Sequence, residues 1–332
     1  KELSLQIDKV ALNSFQVTQE EIEEAEKQVP EDLKQAIRVA ASNISKFHKA
    51  QLKETTAIET MPGVLCWRKA TPIERVGIYV PGGTAPLFST LLMLAVPAQL
   101  AGCKNIVLCT PPKLDGSVDS TILFAAKEIG IKQVFKVGGA QAIAALAYGT
   151  ATIPSVYKIF GPGNQYVTKA KQLVSMEGIA IDMPAGPSEV LVVADETANP
   201  AFIAADLLSQ AEHGADSQVV LVATTGILIE QVEKEVAAQL ETLPRKDIAQ
   251  LALQNSLTIA GDYASGTNHT LPTNGFAKAY SGVSLSSFQK FITFQKLTQQ
   301  GIENLGPVVE RMAEAEQLIA HKRAVSIRLE KQ

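Results

Sequence analysis

Residues 76–110 decide the fold of this chain, and they read VGIYVPGGTAPLFSTLLMLAVPAQLAGCKNIVLCT. The stretch begins with a short apolar run at 76–80, which ends in a Pro-Gly-Gly turn. A longer apolar segment follows at 87–100, and a second short apolar run occupies 105–110. Short apolar runs bounded by glycine and proline predict strands, whereas the longer segment predicts a helix. Together they predict a βαβ unit with parallel strands.

The same alternation continues along the chain in two blocks. The further predicted elements are strands at 133–137, 156–160, 190–193 and 219–222, and helices at 120–129, 201–212 and 228–240. The first fifty residues predict helices, one of which starts at a capping box formed by Thr18 and Glu21. Residues from 288 onward predict mainly helix. The pattern therefore predicts two α/β lobes and a helical C-terminal tail.

The composition is that of a globular protein with a sizeable core. The chain has 332 residues, of which 46% are hydrophobic and 19% charged, and its formal net charge is −4. It has no basic stripe, so nucleic acid and anionic membranes are not expected as partners. The longest apolar run, around 91–100, is interrupted by Pro97 and is too short to span a bilayer.

The N-terminal sequence and the cysteines bear on the cellular compartment of the protein. The chain opens on Lys1 and Glu2 without a signal-peptide pattern, and because it does not begin with Met the natural N-terminus is left open. The cysteines are Cys66, Cys103 and Cys109, an odd number without CxxC spacing. They are expected to be reduced, buried thiols, and the protein is expected to be cytoplasmic.

Three predicted strands end in glycine-rich turns that open into helices, at 81–84, 138–141 and 161–164. Glycine allows a tight turn and a close approach of the backbone to a ligand, and a helix N-terminus offers free N–H groups to an anion. None of the turns completes the GxGxxG pattern, since Tyr166 stands where a third glycine would follow Gly161 and Gly163. These residues predict a nucleotide or phosphate-bearing cofactor of unspecified class.

Three of the four histidines lie in polar, motif-like contexts in the C-terminal half. Gln210 and His213 share one side of a predicted helix end, His269 lies in a loop-like stretch that begins near Asp262, and His321 falls late in the last helix. Each histidine by itself fits a cap or a surface position. Together, His213, Asp262 and His321 would supply the nitrogen and oxygen donors that zinc accepts, whereas glutamine is an unusual zinc donor.

Long strings of the sequence resemble the histidinol dehydrogenase family, in order and over nearly the whole chain. They are residues 80–87 (VPGGTAPL), 137–142 (VGGAQA), 160–164 (FGPGN), 182–189 (DMPAGPSE), 209–213 (SQAEH), 261–269 (GDYASGTNH) and the tail that contains Glu316 and His321. That family oxidises L-histidinol to L-histidine through bound histidinaldehyde, with two NAD⁺ used in succession and a zinc ion. The resemblance implies the same activity here.

The resemblance also implies roles for single residues. The implied zinc ligands are Gln210, His213, Asp262 and His321. The implied substrate contacts are Ser188, His269 and Glu316 together with those ligands, and the implied NAD contacts are Tyr79, Gln141 and Asn164. The implied fold is α/β, with two related, incomplete Rossmann-like parallel-sheet domains plus a helical C-terminal arm. The family is a homodimer in which that arm completes the partner's active site.

These expectations give definite domain boundaries. Residues 1–77 with 189–280 are predicted to form a first, discontinuous α/β domain. Residues 78–188 are predicted to form a second α/β domain that carries the cofactor turns. Residues 281–332 are predicted to form the exchanged arm.

The sequence departs from the family at one place. The family carries a catalytic Glu-His pair in a Pro-Glu-His-Leu-like motif, several dozen residues before the Gly-Asp-Tyr loop. In this chain residues 256–259 run almost directly into Gly261 and Asp262, and the adjacent pair Glu212 and His213 belongs to the zinc helix. Two explanations are open. Either the printed sequence omits a mobile active-site segment, or the protein lacks it and binds zinc and substrate without turnover.

A Cα–Cα distance between Ile259 and Ala260 far above 3.8 Å would favour omission. A third reading treats the glycine turns as the phosphate site of another α/β enzyme and the histidines as structural. That reading predicts no dependence on zinc.

Overall fold

The computed structural model describes residues 2–52, 54–82, 86–182, 189–215, 217–254, 268–273, 275–315 and 319–330. The chain divides into a larger unit, Lys1–Gln51 with Ile73–Phe288, and a smaller unit, Leu52–Pro72 with Gln289–Gln332. The bond between Ile259 and Ala260 lies outside the described residues, so the proposed test of omission does not apply to it. The predicted domain boundaries stay a prediction.

The described elements have the following bounds. The helices are α1 Gln19–Gln28, α2 Glu31–Lys49, α3 Phe88–Ala101, α4 Ser120–Glu128, α5 Gly139–Tyr148, α6 Gln165–Met176, α7 Pro200–Ala211, α8 Gly226–Leu240, α9 Lys246–Gln254, α10 Gln299–Ala315 and α11 Ile319–Glu330. The strands are β1 Ile58–Met61, β2 Val64–Pro72, β3 Arg75–Tyr79, β4 Asn105–Thr110, β5 Gln133–Lys136, β6 Lys158–Phe160, β7 Ala180–Ile181, β8 Glu189–Ala194, β9 Gln218–Ala223 and β10 Gln289–Leu297. A π-helix at Ser4–Asp8 and 3-10 turns at Phe276–Lys278 and Leu285–Phe288 complete the description.

A parallel sheet with the strand order β5-β4-β3-β6-β7 forms the centre of the larger unit. In register, Val76 lies opposite Ile106 on one side and Lys158 on the other. The chain first builds outward through β4 and β5, then returns to the other side of β3 and continues outward. This is the order of a doubly wound, Rossmann-like sheet, and ligands bind where such an order reverses. The prediction of an α/β fold is confirmed, and the predicted strands 76–80 and 105–110 lie within one residue of β3 and β4.

Apolar layers cover both faces of this sheet, as a parallel sheet requires. One layer packs α3 and α4 on the sheet and α1 and α2 outside them, with fully buried side chains such as Leu92 and Phe124. The other layer is built by α5 and α6, with Ile143, Leu146 and Val167 buried. The predicted capping box starts α1, since the Thr18 hydroxyl accepts from Glu21 N at 3.2 Å and the Glu21 carboxylate accepts from Thr18 N at 2.9 Å. Aliphatic side chains thus supply most of this core.

Residues 189–254 form a separate lobe of the larger unit. Its strands β8 and β9 are parallel, and α7, α8 and α9 pack on one face of them. The buried residues of this lobe include Ile203, Leu207, Val219, Leu228 and Val232. It therefore repeats the βαβ pattern of the first sheet in a smaller form, as the sequence predicts.

The smaller unit contains a sheet that the sequence analysis did not predict. Strand β10 pairs antiparallel with β2 over its nine residues, and β1 pairs with the other edge of β2. Trp67 stacks on Phe294 across this pair at 5.5 Å between ring centroids. The aromatic and β-branched residues of β10 suit a strand, and α10 and α11 follow it. The C-terminal arm is thus a strand followed by two helices.

The described helices include none that is both long and apolar enough to cross a membrane.

The three cysteines are free thiols. Cys103 and Cys109 are buried and Cys66 is half-buried. Burial raises the pKa of Cys103 to about 11 and raises that of Cys109 as well. The prediction of reduced, buried thiols is confirmed for Cys103 and Cys109, which burial keeps protonated and unreactive at neutral pH, whereas Cys66 is free but only half-buried.

Candidate functional site

The candidate cofactor site lies at the carboxyl ends of β3 and β6, where the strand order reverses. Tyr79 ends β3 and is almost fully buried. Its phenolic oxygen accepts a hydrogen bond from Gly139 N at 3.1 Å, at the first turn of α5. Burial raises the pKa of Tyr79, so its hydroxyl stays protonated. Tyr79 therefore ties the end of the central strand to the helix that begins at the second glycine turn.

The third glycine turn is held by a buried ion pair. Gly161 N donates to Asp182 Oδ2 at 2.8 Å, and Lys171 Nζ donates to Gly161 O at 2.9 Å. Lys171 also pairs with the other carboxylate oxygen of Asp182, and both side chains are buried. The N–H group of Gly161 is thus bound by the Asp182 carboxylate and its carbonyl oxygen by the Lys171 ammonium group. The two opposite charges neutralise each other.

Sequence reasoning missed this pair. Asp182 opens one of the strings that resemble the family, but no signal in one sequence joins it to Lys171, which lies on α6. The only hint was that the charged Lys171 lies among apolar helix positions such as Val167 and Val174. The sheet brings the two residues together because β7 lies beside β6.

Gly161 cannot be replaced without strain. Its φ is +128°, and a Cβ built on it would lie 2.0 Å from Tyr79 O. We expect Gly161→Ala to lower the free energy of unfolding by more than about 3 kcal/mol. Backbone strain of about 1–3 kcal/mol adds to the steric clash of the new Cβ with Tyr79 O. Gly178→Ala is the matched control, because its φ is +94° but its Cβ would meet nothing within 4 Å. Urea unfolding of both variants measures the two changes. Equal losses of unfolding free energy in the two variants would show that contact with Tyr79 does not require glycine at position 161.

One glycine in each of the other two turns, Gly82 and Gly138, packs on Pro111. A Cβ on Gly82 would lie 2.3 Å from Pro111 Cγ, and one on Gly138 would lie 2.5 Å from Pro111 Cβ. The proline follows β4, so both turns close over the neighbouring strand end. The sequence pattern by itself predicts that these glycines allow the approach of a ligand. The structure shows that they are needed in the protein by itself.

Two predicted cofactor residues lie at the starts of the helices after β5 and β6. Asn164 caps α6, with Oδ1 accepting from Tyr166 N and Val167 N at 3.1 Å each. Gln141 lies in the first turn of α5, is half-buried, and donates from Nε2 to Asp8 Oδ2 at 3.4 Å. Burial raises the pKa of Asp8, with the Gln141 bond acting against it. Tyr79, Gln141 and Asn164 therefore all lie on elements that begin or end at this edge of the sheet.

The two predicted zinc ligands in residues 189–254 lie at the C-terminal end of α7. Gln210 is buried in the last turn, and its carbonyl accepts from His213 N at 3.1 Å. His213 follows the helix and is exposed. Desolvation by neighbouring protein atoms lowers the His213 pKa, whereas the charge of Glu212 raises it. The neutral imidazole is the form that binds a metal ion.

The loop that carries His269 is fastened to the first helical layer. Asn268 Nδ2 donates to Met93 O at 2.7 Å and lies 3.5 Å from His48 Nε2, while Asn268 Oδ1 accepts from Thr270 N at 3.0 Å. His48 is fully buried, its Nδ1 lies 2.9 Å from Ile44 O, and burial lowers its pKa. A neutral His48 in a packing role fits the interpretation from sequence. His269 itself is half-buried.

Three predicted site residues, Ser188, Asp262 and Glu316, lie outside the described residues. His321 is described as an exposed residue of α11, in the smaller unit. Within the parts of the chain that the structure describes, no group of three His, Cys, Asp or Glu side chains is placed to hold a metal ion. The predicted ligand set and the other predicted site residues therefore stay predictions.

A family model described as histidinol dehydrogenase matches residues 1–260 and 254–329 of this chain. The chain belongs to the histidinol dehydrogenase family. The resemblance predicted from the sequence strings is confirmed, and family membership makes the protein an oxidoreductase.

Individual relatives agree with the family match. The histidinol dehydrogenase of Bacteroides fragilis strain YCH46 is 56% identical over 372 residues, covering 97% of this chain and 87% of the relative. That of Vibrio parahaemolyticus is 49% identical over 381 residues, covering 99% and 88%. The crystal structure of histidinol dehydrogenase from Elizabethkingia anophelis superposes with a TM-score of 0.95 at 53% identity, covering 99% of this chain and 87% of that one. The fold is therefore that of this family.

The matches also locate the departure from the family. The two pieces of the family match meet at residues 254–260, directly after α9. The alignment with the Bacteroides fragilis enzyme spans 372 residues, but 97% of a 332-residue chain supplies only about 322 of them. About 50 positions of that relative thus have no counterpart here. The relative therefore has about 50 more residues than this chain over the matched range, and the family match is interrupted at residues 254–260.

Proposed function

We propose that this protein oxidises L-histidinol to L-histidine through bound histidinaldehyde, using two NAD⁺ and a zinc ion, late in histidine biosynthesis. The observation that carries the proposal is the match to the histidinol dehydrogenase family over nearly the whole chain. A doubly wound sheet whose strand order reverses beside three glycine turns supports it, since dinucleotides bind at such an edge.

The residues at the sheet edge fit a dinucleotide. NAD⁺ accepts a hydride when bound, and the protein must orient its nicotinamide ring and exclude competing reactions. Tyr79 and Asn164 already accept from some of the N-terminal N–H groups of α5 and α6, and the remaining ones at this edge favour the pyrophosphate. We propose that Gln141 and Asn164 bind the cofactor through side-chain amides and that Tyr79 lines the site. The buried ion pair beneath Gly161 keeps this turn in place without binding the cofactor itself.

The proposed zinc ligands are Gln210, His213, Asp262 and His321. Two imidazole nitrogens and a carboxylate oxygen are ordinary zinc donors, so the chemistry of the set fits the metal, with Gln210 as the less usual member. When bound, zinc would polarise the oxygen of the substrate and hold its amino alcohol. Gln210 and His213 lie at one helix end, where the backbone bond between them fixes their spacing. His321 comes from the C-terminal arm, which we propose is exchanged in a homodimer with shared active sites.

The substrate contacts proposed besides those ligands are Ser188, His269 and Glu316. His269 is preceded by Asn268, whose bonds to Met93 and Thr270 hold the loop. These hydrogen bonds support a role for His269 in positioning the substrate, because a substrate contact that is out of place lowers the rate of the reaction. A cytoplasmic location and a small-molecule substrate follow from the same proposal.

No residue of the printed chain is assigned as the base that takes the alcohol proton. The Glu-His pair that the resemblance implies has no counterpart in this sequence, and the family match is interrupted at residues 254–260, close to where that pair is expected. The alternative of a protein that binds zinc and substrate without turnover is not favoured, because identity of 48–56% to histidinol dehydrogenases extends over the remaining chain.

The test is NADH formation from L-histidinol by the purified, zinc-loaded protein, with its intact mass recorded. We expect two NADH for each L-histidinol consumed, together with histidine in the product. Turnover by protein of a mass above 35.5 kDa, with the additional residues mapped by peptide sequencing to the interruption at 254–260, would show that the natural chain carries them. Zinc-saturated protein that forms no NADH at any mass would contradict the proposed function.

A further inference from the structure

An acidic residue near the start of the chain, Asp8, reaches the sheet edge at which α5 begins. The segment that carries it is bound along β5. Val17 N donates to Val134 O at 2.9 Å. Lys136 N donates to Phe15 O at 2.7 Å, and the pairing is antiparallel. The residues that precede this pairing therefore run toward the carboxyl end of β5, where α5 begins.

The backbone around Asp8 has an unusual conformation. Asp8 is the last residue of the π-helix Ser4–Asp8, and π-helical turns are rare and occur frequently at functional sites. Lys9 follows with a φ of +57°, a conformation that side chains other than glycine seldom adopt. The N–H group of Lys9 donates to Ser4 O, which closes the turn, and Ser4 is buried. These contacts fix the backbone on both sides of Asp8.

The Asp8 carboxylate lies among the residues proposed to bind the dinucleotide. Its Oδ2 accepts from Gln141 Nε2 at 3.4 Å. Burial is the main cause of the raised pKa of Tyr79, and the negative charge of Asp8 adds to it, so the carboxylate also lies near Tyr79. Asp8 is half-buried. Since a carboxylate has about four acceptor positions, the bond from Gln141 leaves Asp8 able to accept from a ligand.

The usual source of such an acid is missing from this sheet. In Rossmann-like domains an Asp or Glu about 20 residues after the glycine turn binds the ribose 2′-hydroxyl. Here the first turn is at 81–84, and the sequence has no Asp or Glu between Glu74 and Asp115. Asp115 accepts from Ser117 N at 2.9 Å within its own loop. Asp119 accepts from the N–H of the first turn of α4, which it caps.

We propose that Asp8 takes the place of this acid. Its carboxylate accepts hydrogen bonds from the hydroxyls of the adenosine ribose, and it excludes dinucleotides that carry a 2′-phosphate. The inference rests on the proposed function, since it requires a dinucleotide at this edge. A 2′-phosphate would bring negative charge against a partly desolvated carboxylate, where repulsion is stronger than in water. Asp8 thus selects NAD⁺ over NADP⁺.

Asp8→Asn tests this role, because it removes the charge and keeps the size of the side chain. NADH and NADPH are titrated separately into the purified protein and their fluorescence is followed, which requires neither zinc nor turnover. We expect the wild-type protein to bind NADH at least about tenfold more tightly than NADPH. Asp8→Asn should weaken NADH binding by about tenfold, since a hydrogen bond to a charged group is lost, and should tighten NADPH binding.

Asp115→Asn is the matched control, because it makes the same change of charge in a side chain that is bound within its own loop. It should leave the ratio of the two dissociation constants unchanged. An equal change of that ratio in Asp115→Asn would reveal a general effect of net charge and would overturn the inference.

Asp8→Ser provides a second neutral variant if Asp8→Asn does not fold. Wild-type protein that binds NADH while both Asp8 variants keep its preference would overturn the role of Asp8 and leave the proposed function intact. Equal weakening of NADH and NADPH would mean that Asp8 only supports the fold of the edge, which also overturns the inference. Wild-type protein that binds neither nucleotide would contradict the proposed cofactor site itself, and the inference with it.

Discussion

His321→Ala is expected to weaken zinc binding by about 100-fold or more. The basis is the proposed ligand set, in which His321 supplies one of two imidazole nitrogens. Loss of an outer partner of a zinc ligand typically costs 10–100-fold in affinity, and loss of a ligand itself costs at least as much. The measurement is zinc content after dialysis against a graded chelator, which does not depend on turnover. Arg323→Ala is the control, because Arg323 is an exposed neighbour on the same helix.

A mixing experiment tests whether the arm is exchanged. Asp262→Ala is proposed to remove a ligand from the body of the protein, whereas His321→Ala removes one from the arm. If the arm crosses, each heterodimer of the two variants has one intact and one doubly impaired site. A statistical mixture should then recover about a quarter of the tight zinc sites. Full zinc affinity in His321→Ala would contradict the ligand assignment, and no recovery on mixing would contradict the exchange.

Lys171→Met is expected to lower the free energy of unfolding by about 3–5 kcal/mol, because it leaves Asp182 charged, buried and without its partner. It also removes the donor to Gly161 O, so the third glycine turn should loosen. The double variant Lys171→Met with Asp182→Asn should be more stable than the single one, since the uncompensated charge is gone while an acceptor for Gly161 N remains. Urea unfolding measures all three proteins.

Lys169→Met is the control for Lys171→Met, because Lys169 is exposed on the same helix. Its replacement should change stability by less than about 0.5 kcal/mol. A loss of the same size in both variants, or a double variant less stable than Lys171→Met, would show that the ion pair does not hold the turn.

Local patterns in the sequence determined the α/β architecture. In residues 76–110 the short apolar runs form strands and the long one forms a helix. The bounds of β3, α3 and β4 could therefore be predicted to within about one residue. Thr18 and Glu21 marked a helix start because a capping box depends only on residues three apart. The family followed from long strings such as 160–164, which need no knowledge of contacts.

Features that depend on residues far apart in the chain were decided only by the tertiary structure. Strand β10 has aromatic and β-branched residues that suit a strand, but its partner β2 lies more than two hundred residues away, so the pairing is not visible in the local sequence. The pairing of Lys171 with Asp182, and the packing of Gly82 and Gly138 on Pro111, likewise arise only when strand ends meet at one edge of a sheet.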